Sequence, residues 1–199
     1  MENGTPEDWF KMAFDAEDPE EKLEYFALIL ESGSKDPELW NDGAIALVWN
    51  NKGISYAFMG MYEDAIKCFE RSLSLKRNDT DVLYNLGVAL YTMGRSEEAI
   101  TYYDRILALD PKNDNTWVSK GDILECMGKH NEAIDCYSKV HKGIELDDKF
   151  AIVWYKKGLS YLGLGRYDDA SNCFSRVLAI DPEHSDAIET LKRTMQKIK

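Results

Sequence analysis

Residues 151–182 read AIVWYKKGLSYLGLGRYDDASNCFSRVLAIDP. Within them Trp154 stands four residues before Gly158, Gly165 follows after seven more, Ala170 after five and Phe174 after four. The same spacing recurs upstream, in Trp49, Gly53, Gly60, Ala65 and Phe69. It recurs in Leu83, Gly87, Gly94, Ala99 and Tyr103, and in Trp117, Gly121, Gly128, Ala133 and Tyr137. The frames are 46–79, 80–113, 114–150 and 151–184, three of 34 residues and one of 37. Self-similarity at a fixed period is the mark of a repeat architecture, in which one unit cannot bury its own apolar face and neighbours bury it jointly.

The spacing has a physical reading. Glycine at the eighth position lets a second helix come close, and the alanine at the twentieth is expected to receive it. The aromatic four residues on shares that alanine's helix face. Glycine at the fifteenth position ends the first helix, because it tolerates the left-handed conformation of a C-cap. Asp110-Pro111 and Asp181-Pro182 end second helices, since the residue before proline avoids the α region. Each repeat is therefore a helix pair. Together these residues resemble the tetratricopeptide repeat family; in the last copy Trp154, Gly158, Leu159, Tyr161, Ala170, Phe174 and Pro182 carry the likeness, with Lys157 where the family has leucine. The resemblance covers 46–184. It implies an all-α fold, a right-handed superhelical α-solenoid, and a protein–protein interaction module serving as adaptor or assembly scaffold.

The third copy departs from the pattern. His141-Lys142-Gly143 is inserted and Asp148 replaces the usual proline, so a local change of superhelical pitch is expected between the third and fourth repeats. Residues 185–199 are expected to cap the array, with Ala187, Ile188, Leu191, Met195 and Ile198 on the buried stripe, and Lys192, Arg193, Lys197 and Lys199 suiting the C-terminal end of the helix dipole. Residues 1–45 look like a degenerate repeat, with Trp9, Phe10, Ala13 and Phe14 on one helix and Leu23, Phe26, Ala27 and Leu30 on the next. Asp36-Pro37 is expected to open a helix running to Met59.

Charge narrows the function. The chain carries a net −12, and residues 1–45 hold thirteen Asp/Glu against three Lys, so the repeat body is almost neutral. Such a chain repels phosphate backbones, which disfavours nucleic acid as a partner. No basic stretch leading into an apolar one opens the sequence, and no apolar run approaches a membrane span, so neither secretion nor a membrane partner is expected. Cys68, Cys136 and Cys173 share one repeat position and Cys126 stands apart, with no C-x-x-C pair; small core residues in a reducing cytoplasm account for them. No nucleophile elbow, phosphate loop or dinucleotide loop is present. Cys126 and His130 lie either side of a glycine turn that would misalign them for a metal, and His141 and His184 read as exposed helix-end residues. The expectation is no catalysis, no cofactor and no metal.

The informative surface is the outer stripe of each first helix, at positions two, five, nine and twelve. In the family these positions line the concave groove. Here they are Leu47, Asn50, Ile54 and Ala57; Asp81, Tyr84, Val88 and Tyr91; Asn115, Val118, Asp122 and Glu125; Ile152, Tyr155, Leu159 and Leu162, with Phe58 at the margin. The expected ligand is an amphipathic helix or extended segment of another protein, with basic residues facing Asp122 and Glu125. A Tyr84→Ala/Tyr91→Ala variant is expected to bind less while staying folded. The carboxylate clamp of chaperone-tail-binding relatives is not expected, because only Asn85 matches it. The alternative is a self-associating structural protein, a homo-oligomer joined through its terminal helices. An intramolecular variant lays residues 1–35 in the groove.

Overall fold

The computed structural model describes residues 4–33, 41–140 and 148–198. Among these residues there are eleven helices and no strand. They are α1 (Pro6–Asp15), α2 (Pro19–Gly33), α3 (Asp42–Phe58), α4 (Tyr62–Leu75), α5 (Thr80–Thr92), α6 (Ser96–Leu109), α7 (Asp114–Cys126), α8 (His130–Lys139), α9 (Asp148–Gly163), α10 (Tyr167–Ile180) and α11 (Ser185–Lys197). The fold class is all-α, of the helix–turn–helix solenoid type. Two compact units divide after Leu109. In the first, α1 to α6 pack each against the next; in the second, α7 to α11 do the same.

The turn inside each repeat is a Schellman motif built on glycine. Gly60, Gly94, Gly128 and Gly165 have φ between 68° and 76°. The residue after each donates its N–H to the carbonyl five back, as Met61 does to Tyr56 and Arg95 to Leu90, both at 2.9 Å. The eighth-position glycine has a different cause, and the expected partner is corrected. A Cβ built on Gly53, Gly87, Gly121 or Gly158 would lie 2.4–2.6 Å from a ring carbon of Phe69, Tyr103, Tyr137 or Phe174, so the glycine faces the aromatic, not the alanine. The alanines, fully buried, fill the space one turn earlier.

The first helices α3, α5, α7 and α11 start on side-chain caps. Asn41, Asp79, Asn113 and His184 each accept a backbone N–H from the first turn, as Asn41 does from Ala44 at 3.0 Å. Asn41 itself is extended, so α3 begins at Asp42 and no continuous helix joins Asp36-Pro37 to Met59. Pro37 lies outside the described residues, as do the His141-Lys142-Gly143 insertion, the pitch change expected from it, and Lys199.

Lysine in the place of the family's leucine goes with tryptophan one turn earlier. Lys52 stands 5.4 Å from the ring of Trp49, Lys120 5.9 Å from Trp117 and Lys157 5.3 Å from Trp154. Such cation–π contacts hold the lysine stem against a half-buried ring. Where the fourth position is Leu83, the seventh is Leu86, and both are fully buried.

The N-terminal helices join the stack as a repeat would. Ala13, Phe26, Ile29 and Val48 form one core, with Trp9, Phe10, Tyr25 and Leu30 against it. Ala27, expected on the buried stripe, is exposed, and Ile29 takes its place because the packed face of α2 runs through Phe26 and Ile29. With α1 and α2 packed in series before α3, the described part of residues 1–35 is in the stack, so the intramolecular variant does not hold for it.

At the other end, α11 buries Ala187 and Thr194, while Met195 and Ile198 are exposed, contrary to the expected stripe. The reason is register. First helices bury their third and tenth positions (Val48, Val82, Thr116, Val153; Ser55, Ala89, Ile123, Ser160), and in α11 these positions are Ala187 and Thr194.

Burial also sorts the thiols. Cys68, Cys136 and Cys173 are buried and Cys126 is exposed. Burial pushes the Cys68 and Cys173 thiols up to about 11. In native protein at about pH 8, iodoacetamide should modify Cys126 first, and Cys68 and Cys173 at least ~100-fold more slowly, through their small thiolate fraction. Peptide mapping over time checks this, and equal rates at all four would contradict the packing.

Candidate binding face

In the first unit, Leu47, Asn50, Ile54 and Phe58 follow one stripe of α3, and Asp81, Tyr84, Val88 and Tyr91 one stripe of α5. Leu47, Ile54, Phe58, Val88 and Tyr91 are all exposed, Phe58 to 85%. These large apolar side chains share a face, while the fully buried core lies elsewhere. Asn85 Nδ2 donates to Asn50 Oδ1 at 3.2 Å, tying α5 to α3 beneath this row. Asn50 is therefore held in the stack while Ile54 and Phe58 project beyond it.

Tyr84 and Tyr155 have a structural share. Tyr84 stacks on the buried Tyr103, ring centroids 5.5 Å apart. Tyr155 lies 5.6 Å from Phe174 and 5.2 Å from the His184 ring. Removing Tyr84 would thus disturb packing as well as the face. Phe58 and Val88 probe the face with less damage.

The second unit carries the expected acidic positions, and Asp122 is already engaged. The Tyr137 hydroxyl donates to Asp122 Oδ1 at 2.8 Å, and the Lys156 ammonium pairs with the other carboxylate oxygen. This link joins α7 to α9 as the Asn50–Asn85 link joins α3 to α5. Burial first, and the Asp122 charge second, raise the pKa of Tyr137 far above the ordinary tyrosine range. The Lys156 ammonium balances the Asp122 carboxylate within this pair; Glu125, half-buried one turn on, keeps its place on the stripe. Leu159 is half-buried and Ile152 exposed on α9.

Among the described residues no group of three or more His, Cys, Asp or Glu is arranged to hold a metal ion, and no helix is long and apolar enough to cross a membrane. His130 has a packing role: a Cβ on Gly163 would meet its imidazole at 2.4 Å. That contact explains the first glycine of Gly163-Leu164-Gly165.

Sequence reasoning missed the Asp122–Lys156 pair, whose partners are 34 residues apart, at the ninth position of one repeat and the sixth of the next.

Tetratricopeptide repeat family models match residues 44–112, 102–135 and 151–184. No curated protein matches the sequence. Among solved structures, MamA shares the fold with a TM-score of 0.75 at 20% identity, over 91% of this chain and 94% of that one. YrrB, a tetratricopeptide repeat protein with an unusual peptide-binding site, gives 0.73 at 22% identity, over 92% and 88%. A tetratricopeptide repeat protein from Parabacteroides merdae gives 0.79 at 16% identity, over 97% and 73%.

Proposed function

The chain belongs to the tetratricopeptide repeat family, a family of protein-interaction modules, and from that premise we propose that it is an adaptor or assembly scaffold holding a peptide or helix of another protein. The observation that carries the reading is the exposed row Leu47, Ile54, Phe58, Val88 and Tyr91 on α3 and α5. An amphipathic segment laying its apolar side chains along such a row is a common mode of recognition. Asn50 and Tyr84 belong to this face in the first unit, and Glu125, Tyr155 and Leu159 occupy the corresponding stripe positions of the second. Asp122 serves the stack. The peptide-binding site of YrrB, on the same fold, supports the kind of ligand but not its place. Repeats over 46–79, 80–113, 114–150 and 151–184, between an N-terminal pair and a C-terminal capping helix, belong to this reading. So does a reducing, cytoplasmic home, which the thiols of all four cysteines suit.

The experiment is a peptide library panned on the whole chain, with enriched peptides then titrated against wild type and a Phe58→Ser/Val88→Ser variant. Both side chains are exposed, so the variant should keep its helical signal and melting temperature. Loss of two anchors should weaken affinity by about 30-fold or more. Equal affinity for both proteins, or no enriched peptide, would count against the reading.

A further inference from the structure

We propose that His184 makes the seating of α11 in the second unit sensitive to pH: a neutral imidazole holds the first turn of the helix, and a protonated one releases it. The argument uses no residue of the first unit's face and stands apart from the peptide-binding reading.

The sequence reads His184 as an exposed helix-end residue; in the structure it is half-buried and caps α11. Its Nδ1 accepts the backbone N–H of Ala187 at 3.3 Å. A histidine nitrogen accepts only in the neutral ring, which here carries its proton on Nε2. The imidazole stacks on the ring of Tyr155 from α9, centroids 5.2 Å apart. Ala187 is fully buried and forms one core with Ala151 and Val177, against which Trp154, Tyr155, Leu178 and Ile180 pack.

That burial decides what a proton does. An imidazolium has two donors and no acceptor, so the Ala187 N–H loses its partner. The charge also sits at a helix N-terminus, where the dipole opposes a cation. Water cannot stand in for the lost acceptor while Ala187 stays buried, and a buried donor without a partner is costly. Relief requires the first turn of α11 to move off the core it shares with α9 and α10. The caps of α3, α5 and α7 are Asn41, Asp79 and Asn113. Histidine is the side chain that ordinarily changes charge between about pH 5 and 8, so α11 differs from them in the chemistry of its cap.

The charged and titratable groups on the surrounding elements are Tyr155 on α9, Arg176 on α10, Asp181 and Glu183 in the turn that follows, and Asp186 and Glu189 on α11. Arg176 lies over Trp154, Asp181 accepts the Glu183 N–H, Asp186 accepts from the Ser185 hydroxyl, and Glu189 pairs with Arg193. The carboxylates and the Tyr155 ring attract an imidazolium, but they give the Ala187 N–H no acceptor in its place. Protonation therefore removes the cap and leaves the stack.

Amide hydrogen exchange of the whole chain, followed by NMR at about pH 7.5 and 5.5 and corrected for the intrinsic rates, tests this. In wild type the protection of Ala187, Ile188 and Leu191 should fall about tenfold on acidification, as expected for a lost cap together with a cation at a helix N-terminus. His184→Asn supplies an acceptor of the kind that Asn41 and Asn113 provide, and its protection should be the same at both pH values. His130 and His141 are present in both proteins, so their titration does not separate the two. In wild type at about pH 8 the imidazole nitrogen shifts should place the His184 proton on Nε2. The same acid loss of protection in His184→Asn overturns the proposal, as does no loss in wild type or a proton on Nδ1.

Discussion

Gly87→Ala is expected to lower the stability of the first unit by about 2–3 kcal/mol, although the same change raises helix propensity by about 1 kcal/mol. The sign follows from what the new methyl meets. Its Cβ would lie 2.4 Å from Cε1 of Tyr103, against about 3.5–4.0 Å for an ordinary carbon–carbon contact. The ring is buried and stacked on Tyr84, so relief requires α5 and α6 to move apart. Tyr103→Leu in the Gly87→Ala background should recover part of the loss, because the smaller side chain makes room. Gly94→Ala is the control with a different cause. Nothing lies within 4 Å of a Cβ there, and only the left-handed backbone at φ 76° opposes it, at a cost of about 1–2 kcal/mol. Urea unfolding of the three variants gives the ranking. A Gly87→Ala protein as stable as wild type would mean that the ring yields and that the glycine–aromatic contact is not what holds each helix pair at its spacing.

The second large effect is expected at Asp122. Asp122→Ala leaves the buried Tyr137 hydroxyl without its acceptor and the half-buried Lys156 ammonium without its carboxylate, and should cost about 2 kcal/mol. Solvent reaches about a third of both charged side chains, which keeps the figure below that of a fully buried pair. Lys156→Ala should cost less, since Asp122 still accepts from Tyr137. Asp122→Asn should fall between, keeping the acceptor and losing the charge. The pH dependence has a definite sign. Tyr137 holds its proton more tightly folded than unfolded, so its contribution is complete below the unfolded tyrosine value of about 10 and is lost as pH rises above it. Melting temperature between about pH 8 and 11 should fall less steeply in Tyr137→Phe than in wild type. Equal slopes would remove Tyr137 from the account.

Much of the fold was legible because its determinants are local and repeated. A glycine with φ of 68–76° at the end of each first helix, and a second glycine facing a ring, leave the same mark four times in a self-alignment. What that alignment did not reveal is which atoms meet. Gly53 and Ala65 are both small and both conform to the spacing, and it is the packing of the two helices that sets Gly53 against Phe69. Register at the ends was harder. Hydrophobicity alone placed Met195 and Ile198 on the buried stripe of α11, whereas the third- and tenth-position rule, seen once Thr116, Ser55 and Ser160 prove buried, selects Ala187 and Thr194. Polar residues at buried positions hid that rule. In the candidate site, the exposure of Ile54, Phe58, Val88 and Tyr91 could be anticipated from helical spacing. The stacking of Tyr84 and the pairing of Asp122 could not, because both depend on residues 19 to 34 positions away.

The most direct test of the binding face is a map of amide and methyl chemical shifts on titrating an enriched peptide into isotope-labelled protein. The account predicts the largest changes at Ile54, Phe58, Val88 and Tyr91, with α4 and α6 little affected. Changes confined to those second helices, or to α1 and α11, would contradict it.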